Sequence, residues 1–192
     1  MEKIPAPGYI LTGGESRRMG EDKGRMLIEG RSMVERISST LNTVLESIYT
    51  VGGKPYPPLP HLEDIYPNRG PLGGLYTALH HTPSNWLFVT ACDVPMLPVG
   101  VIESLWALCS ETFDGVIPFW KQSQFLIGFY NKRIQRIVER TVQSNDRSMK
   151  HLISQLNVQQ IPLEETLPLF NINTPPAYQA LLDWIQQSQE GV

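Results

Sequence analysis

The sequence predicts an α/β fold, a three-layer α/β/α sandwich around a mostly parallel sheet. Three observations carry this expectation. Short apolar runs alternate with longer amphipathic stretches over the first ~110 residues, the pattern of successive right-handed βαβ units. The run Asn85 to Ala91 (NWLFVTA) is apolar almost throughout, as a central strand covered on both faces is. A chain of 192 residues with 41% hydrophobic residues is long enough to fold as one domain around its own core, without a disulfide or metal staple.

The elements follow in order. Gly8 to Thr12 reads as a strand that ends at Gly13-Gly14, and a loop rich in glycine and charge runs on to about Gly30. Ser32 to Leu45 carries Met33, Val34, Ile37, Leu41, Val44 and Leu45 at helical spacing. Ser47 to Val51 is a strand closed by Gly52-Gly53, and the proline-rich Lys54 to Pro60 is irregular. His61 to Asp64 suits a short strand. Pro71 to His81 is a helix opened by Gly70-Pro71, and Val99 to Ser110 a helix preceded by Pro98. Gly115 to Trp120 and Gln124 to Tyr130 read as strands joined as a hairpin through Lys121-Gln122-Ser123. Arg133 to Val142 and Ser148 to Leu156 are helices, Val158 to Pro162 a late strand, and Pro175 to Gln187 the last helix. A smaller β-rich lobe is expected from about Gly115 onward.

Composition narrows the function classes. A net charge of -3 disfavours nonspecific nucleic-acid binding. No apolar stretch approaches the ~18–20 residues of a membrane span, and the N-terminal apolar run is too short for a signal peptide. Cys92 and Cys109 form neither a CxxC pair nor a zinc set, so they are expected as reduced thiols of a cytoplasmic protein. The four histidines, 61, 80, 81 and 151, show no ligand spacing and read as surface or packing residues.

The most informative segment is Leu11-Thr-Gly-Gly-Glu-Ser-Arg-Arg-Met-Gly-Glu-Asp-Lys23. It follows the first strand, where open α/β sheets bind ligands. Gly13 and Gly14 let backbone approach a guest closely, successive N–H groups there form an anion cradle, and Arg17, Arg18 and Lys23 add cations. A triphosphate suits such a loop, and so does no ligand at all, since the same residues make a solvated basic turn. Neither GxxxxGK followed by Ser or Thr nor GxGxxG is present. The pattern LxGGxSxRMGxDK, matched at Leu11, Gly13, Gly14, Ser16, Arg18, Met19, Gly20, Asp22 and Lys23, resembles the N-terminal signature of the nucleotidyltransferases that act on the molybdenum cofactor. These belong to the glycosyltransferase-A-like, nucleotide-diphospho-sugar transferase-like fold.

Three further segments fall in the order that family shows. Glu63-Asp64 precedes Gly70-Pro-Leu-Gly-Gly-Leu75, similar to an acidic residue followed by a GPLxG turn. Asp64 at a strand end suits hydrogen bonds from a base or ribose, or is an exposed loop carboxylate. Gly73 and Gly74 are expected to keep the helix start bare for a ligand. Val89 to Pro95 resembles the strand ending in CDxP. An aspartate at the edge of a central strand suits Mg²⁺, which binds one or two carboxylates plus substrate phosphates, although a turn or cap before Pro95 also accounts for Asp93. Cys92 reads as a small packed hydrophobe. Asn171-Ile-Asn-Thr-Pro175 resembles the NxNTP segment, and Thr174 with Pro175 also makes a helix cap. Phe125 departs from the Gln-Pro or His-Pro of many relatives and leaves the role of Gln124 open.

The resemblance covers nearly the whole chain and is closest to the guanylyltransferase branch, the molybdopterin-guanine dinucleotide biosynthesis protein A family. It implies transfer of GMP from GTP to the terminal phosphate of molybdopterin, with release of pyrophosphate. It implies Lys23 and Arg18 as catalytic cations, and Leu11, Thr12, Gly13, Gly14, Lys23, Asp64 and Asp93 as the GTP site. Asn171 and Asn173 would bind molybdopterin, and Asp93 would hold Mg²⁺. Residues 1–112 would form the nucleotide-binding half and 113–192 the molybdopterin-binding half of one domain. Transient contacts with other cofactor-biosynthesis proteins or apo-molybdoenzymes are expected, with neither nucleic acid nor membrane as partner. Alternatives are a cytidylyltransferase for the same cofactor, a sugar-phosphate nucleotidyltransferase, and a noncatalytic carrier of the cofactor.

Overall fold

The structure, a computed structural model, describes residues 2–13, 23–164 and 171–190. The chain enters through β1 (Gly8–Leu11) and, after a short hairpin of β2 (Leu27–Ile28) and β3 (Arg31–Ser32), forms α1 (Met33–Val44). The helix starts where it does because of a capping box. The Glu35 N–H donates to Ser32 Oγ at 3.2 Å, and the Ser32 N–H donates to Glu35 Oε2 at 2.6 Å. Strands β4 (Ile48–Val51) and β5 (His61–Leu62) follow, then α2 (Pro71–His81), β6 (Trp86–Ala91) and α3 (Val99–Trp106). Next come β7 (Gly115–Trp120), β8 (Gln122–Ser123), β9 (Ile127–Asn131), α4 (Gln135–Gln143), α5 (Met149–Ile153), β10 (Val158–Pro162) and α6 (Pro175–Glu190).

Among the described residues, the main sheet has the order β10-β7-β9-β6-β1-β4-β5, with β8 paired to β7. The pairs β6–β1, β1–β4, β4–β5 and β10–β7 are parallel, and β9 runs antiparallel between β6 and β7. Period-two alternation sorts each strand between two helical layers. Ile10, Phe88, Val116 and Phe129 pack with α1 and α3. Tyr9, Leu11, Leu87, Val89 and Ile117 pack with α2, α4 and α5 on the other face. This is the three-layer sandwich the sequence predicts. The strands from Gly115 onward extend this one sheet rather than standing apart as a lobe. A third, smaller core joins Ile28 and Met33 to Ile172, Leu181 and Ile185, tying the β2–β3 hairpin to α6.

Some boundaries differ from expectation for local reasons. The hairpin lies inside the stretch read as loop, because its turn residues Glu29 (φ 48°) and Gly30 (φ 76°) adopt the left-handed pair that Asn-Gly ordinarily announces. Gln124 does not begin a strand. The chain reverses tightly at Lys121 (φ 59°), pairs briefly as β8, and re-enters the sheet only at Ile127. Helix α3 ends at Trp106, before Ser110.

Candidate active site

β1 lies between β4 and β6, the point from which the chain departs first to one side of the sheet and later to the other. Open α/β sheets bind ligands at the carboxyl ends of the strands at such a point. Here those ends are Thr12-Gly13 after β1, Gly52-Gly53 after β4 and Cys92-Asp93 after β6.

One part of the site is a cleft of about 920 Å³ lined by Gly13, Gly52, Gly53, His61, Asp64 and Gly70, with neighbouring residues of the 55–68 segment. Its floor requires glycine. Gly52 and Gly53 have φ of +67° and +61°, and a Cβ on Gly53 would lie 2.5 Å from the Thr12 carbonyl oxygen. A Cβ on Gly52 would lie 2.7 Å from Asp64 Oδ2, so the carboxylate rests directly on this turn. Asp64 Oδ1 is buried without a hydrogen-bond partner among the described residues. Burial pushes its carboxyl up from the ordinary range, with His61 nearby pulling it partly back. A buried acceptor with no donor is costly unless a ligand supplies one.

The other part brings together residues far apart in sequence. The Lys23 ammonium donates to Asn173 Oδ1 at 2.8 Å. Burial raises the Asp93 carboxyl above its ordinary range, while the Lys23 charge and a hydrogen bond from the Asn173 side chain draw it back. The Ile172 N–H donates to the Asp93 carbonyl at 2.8 Å, which fixes the Asn171–Asn173 segment against the end of β6. Thr174 caps α6, its Oγ1 accepting from the Ala177 N–H at 3.3 Å, so cap and asparagine segment are one structure. The Cys92 N–H donates to the Leu11 carbonyl at 3.1 Å, joining this part to the cleft floor through β1.

The structure thus brings Lys23, Asp93, Asn171 and Asn173 to one region and Gly13 and Asp64 to the adjoining cleft. Gly14 and Arg18 lie outside the described residues. The Leu11 carbonyl and Thr12 N–H are engaged in the sheet, the latter donating to the Val51 carbonyl at 2.9 Å.

Gly73 and Gly74 correct one expectation. Both are buried, and a Cβ would lie 2.5 Å from the Tyr66 carbonyl oxygen at Gly73 and 2.9 Å from Leu11 Cδ2 at Gly74. They let α2 close on the protein, not on a ligand. The histidines pack: His81 Nδ1 lies 3.0 Å from the Tyr9 hydroxyl, and His61 Nδ1 lies 3.1 Å from Thr50 Oγ1. His61 and the Gly52-Gly53 turn line the cleft and are residues that sequence reasoning missed. The available signal was a double glycine after a second parallel strand. Neither cysteine forms a disulfide, and Cys92 packs against the core under α1 and α3. No helix among the described residues is long and apolar enough to cross a membrane.

The family model of the MobA-like NTP transferase domain matches residues 8–161. A Flavobacterium johnsoniae protein named "Probable molybdenum cofactor guanylyltransferase" is 31% identical over 173 residues, covering 86% of this chain and 90% of that protein. A Mycobacterium marinum protein of the same name is 32% identical over 183 residues, covering 90% of this chain and 91% of its own. In fold, molybdopterin-guanine dinucleotide biosynthesis protein A from Archaeoglobus fulgidus aligns with a TM-score of 0.82 at 22% identity, over 94% of this chain and 99% of that one. CMP:2-keto-3-deoxy-manno-octonic acid synthetase complexed with CTP aligns with a TM-score of 0.75 at 10% identity, over 97% and 100%. These last two likenesses concern the fold alone.

Proposed function

The chain belongs to the MobA-like NTP transferase domain family, and from that premise we propose that it is a molybdenum cofactor guanylyltransferase. It transfers GMP from GTP to the terminal phosphate of molybdopterin. A phosphate oxygen of the acceptor bonds to the α-phosphorus of GTP, the bond from that phosphorus to the bridging oxygen breaks, and pyrophosphate leaves. The observation that carries this reading is the meeting of Lys23, Asp93 and Asn173 at the strand ends beside a glycine-floored cleft.

The chemistry requires positioning and charge neutralisation more than covalent help from the protein. The nucleoside lies in the cleft on Gly13, Gly52 and Gly53, with Asp64 accepting its hydrogen bonds. Gly14 and Arg18 belong to the triphosphate loop. Lys23 stands where charge builds around the α-phosphate. Asn171 and Asn173 lie on the acceptor side, so the 1–112 segment supplies most of the nucleotide site and the 113–192 segment most of the acceptor site.

Asp93 suits Mg²⁺: it is a hard oxygen donor whose burial makes a positive neighbour favourable. Such an ion would take its remaining ligands from substrate phosphates and water. When bound, Mg²⁺ supplies Lewis-acid neutralisation of phosphate oxygens.

The test is pyrophosphate release on mixing the protein with GTP, Mg²⁺ and molybdopterin. Release with GTP and dinucleotide product is expected. Turnover with CTP in preference to GTP identifies a cytidylyltransferase, and binding without release identifies a carrier.

A further inference from the structure

We infer that Gln124 is a positioning residue that sets the hydrogen-bond polarity of the acceptor side, so that Asn171 presents its amide oxygen to N–H groups of the acceptor's heterocycle. The inference rests on the proposed role of Asn171 at the acceptor.

Gln124 is only 8% exposed. Its Nε2 donates to the Trp120 carbonyl at 3.1 Å and to the Gln122 carbonyl at 3.2 Å. Backbone carbonyl oxygens cannot donate, so this amide cannot be turned round, and both of its hydrogens are in use. Gln124 Oε1 is thereby aimed at Asn171 and accepts from Nδ2 at 3.2 Å. An oxygen only accepts, so Asn171 must give its nitrogen end to Gln124. Its own Oδ1 is thereby turned outward, with one Nδ2 hydrogen beside it, and no described residue donates to that oxygen.

Asn173 has the opposite arrangement. Its Oδ1 accepts from Lys23 and its side chain also hydrogen-bonds Asp93, so that amide is used internally. The segment cannot rotate to exchange the two roles, because Ile172 between them is fully buried and its N–H is held by the Asp93 carbonyl. The amide oxygen that Asn171 offers complements a ring N–H or exocyclic amino group. The Asn171 oxygen itself can only accept, so what it adds to the site is an acceptor for donors on the ligand.

The test measures kcat and KM for molybdopterin and for GTP by pyrophosphate release, with melting temperatures, in Gln124→Met, Asn171→Ala, Asn171→Asp and the double variant Gln124→Met/Asn171→Ala. An amide oxygen left unoriented costs a hydrogen bond of roughly 1–1.5 kcal/mol, about a tenfold rise in acceptor KM. Gln124→Met is expected to show that rise with GTP KM unchanged within about twofold. The double variant should be no worse than Asn171→Ala, because Gln124 acts through Asn171. Asn171→Asp, which has no donor for Gln124, should bind acceptor no better than Asn171→Ala. Unchanged acceptor KM in Gln124→Met, or additive effects in the double variant, overturns the inference. Should Gln124→Met fail to fold, wild-type acceptor KM in Asn171→Asp overturns it equally. Absence of pyrophosphate release from the wild type sinks the guanylyltransferase reading instead, and this inference with it.

Discussion

Replacing Lys23 by alanine tests the proposed chemistry most directly. The ammonium is held at 2.8 Å from Asn173 Oδ1 and close enough to Asp93 to draw its carboxyl down. On the proposed reading it is preorganised beside the place where phosphoryl charge would develop. A unit charge about 4 Å from such a centre, at an effective dielectric near 20, is worth about 4 kcal/mol. Loss of one fixed donor of this kind lowers kcat by about 10²–10³, or roughly 2.7–4 kcal/mol, so the two figures agree. Stability should change little, since the bond to Asn173 is solvent-exposed and such contacts contribute about 1 kcal/mol or less. The assay is steady-state pyrophosphate release with GTP and molybdopterin, alongside a thermal melt. Lys23→Ala with kcat within about threefold of wild type, in a folded protein, refutes the assigned role.

Other perturbations have defined outcomes. Gly53→Ala forces a Cβ to 2.5 Å from the Thr12 carbonyl at φ +61°, which should cost about 1–3 kcal/mol and weaken GTP binding; an unshifted melting temperature contradicts this. Asp64 has a folded-state pKa raised by burial, so the folded protein keeps that proton to higher pH than the unfolded chain. The group's contribution to stability is then lost as pH rises from the ordinary carboxylate range through the raised value. Asp64→Asn should remove this slope, gaining on the wild type across that window while GTP KM rises. A constant offset at every pH in denaturant melts argues against the burial effect. Ile172→Ala opens a cavity at a fully buried position of the third core and should lower stability by about 2–5 kcal/mol. It should lower kcat more than it alters GTP KM, and an equal loss in both speaks against a selective link to the Lys23 region.

Elements with a strong local cause were legible in the sequence. β6 is apolar on both faces because it packs between two helical layers, and α1 is read from apolar residues at helical spacing, which the structure buries. The motifs that carry Lys23, Asp93 and Asn173 can be picked out from a few fixed positions, and the structure brings these three residues together. What stayed hidden depends on tertiary approach. A glycine pair at a helix start reads the same whether it faces a ligand or, as at Gly73 and Gly74, a carbonyl oxygen and a leucine side chain. The Glu29-Gly30 turn lacks the asparagine that marks its backbone form. The partners of Gln124 lie partly in the turn beside it and partly at Asn171, and no spacing rule announces such a bridge.

The third core has a consequence for synthesis. It joins the hairpin near the beginning of the chain to α6, and Lys23 meets Asn173 across 150 positions of sequence. At roughly 5–20 residues per second on the ribosome, the asparagine emerges about 8–30 seconds after the lysine. All the residues that line the glycine-floored cleft precede it in the chain, whereas the Lys23–Asn173 contact cannot form before it. On the proposed reading, a nascent or prematurely released chain would have its nucleotide cleft before its reacting centre, which is complete only when the last helix docks.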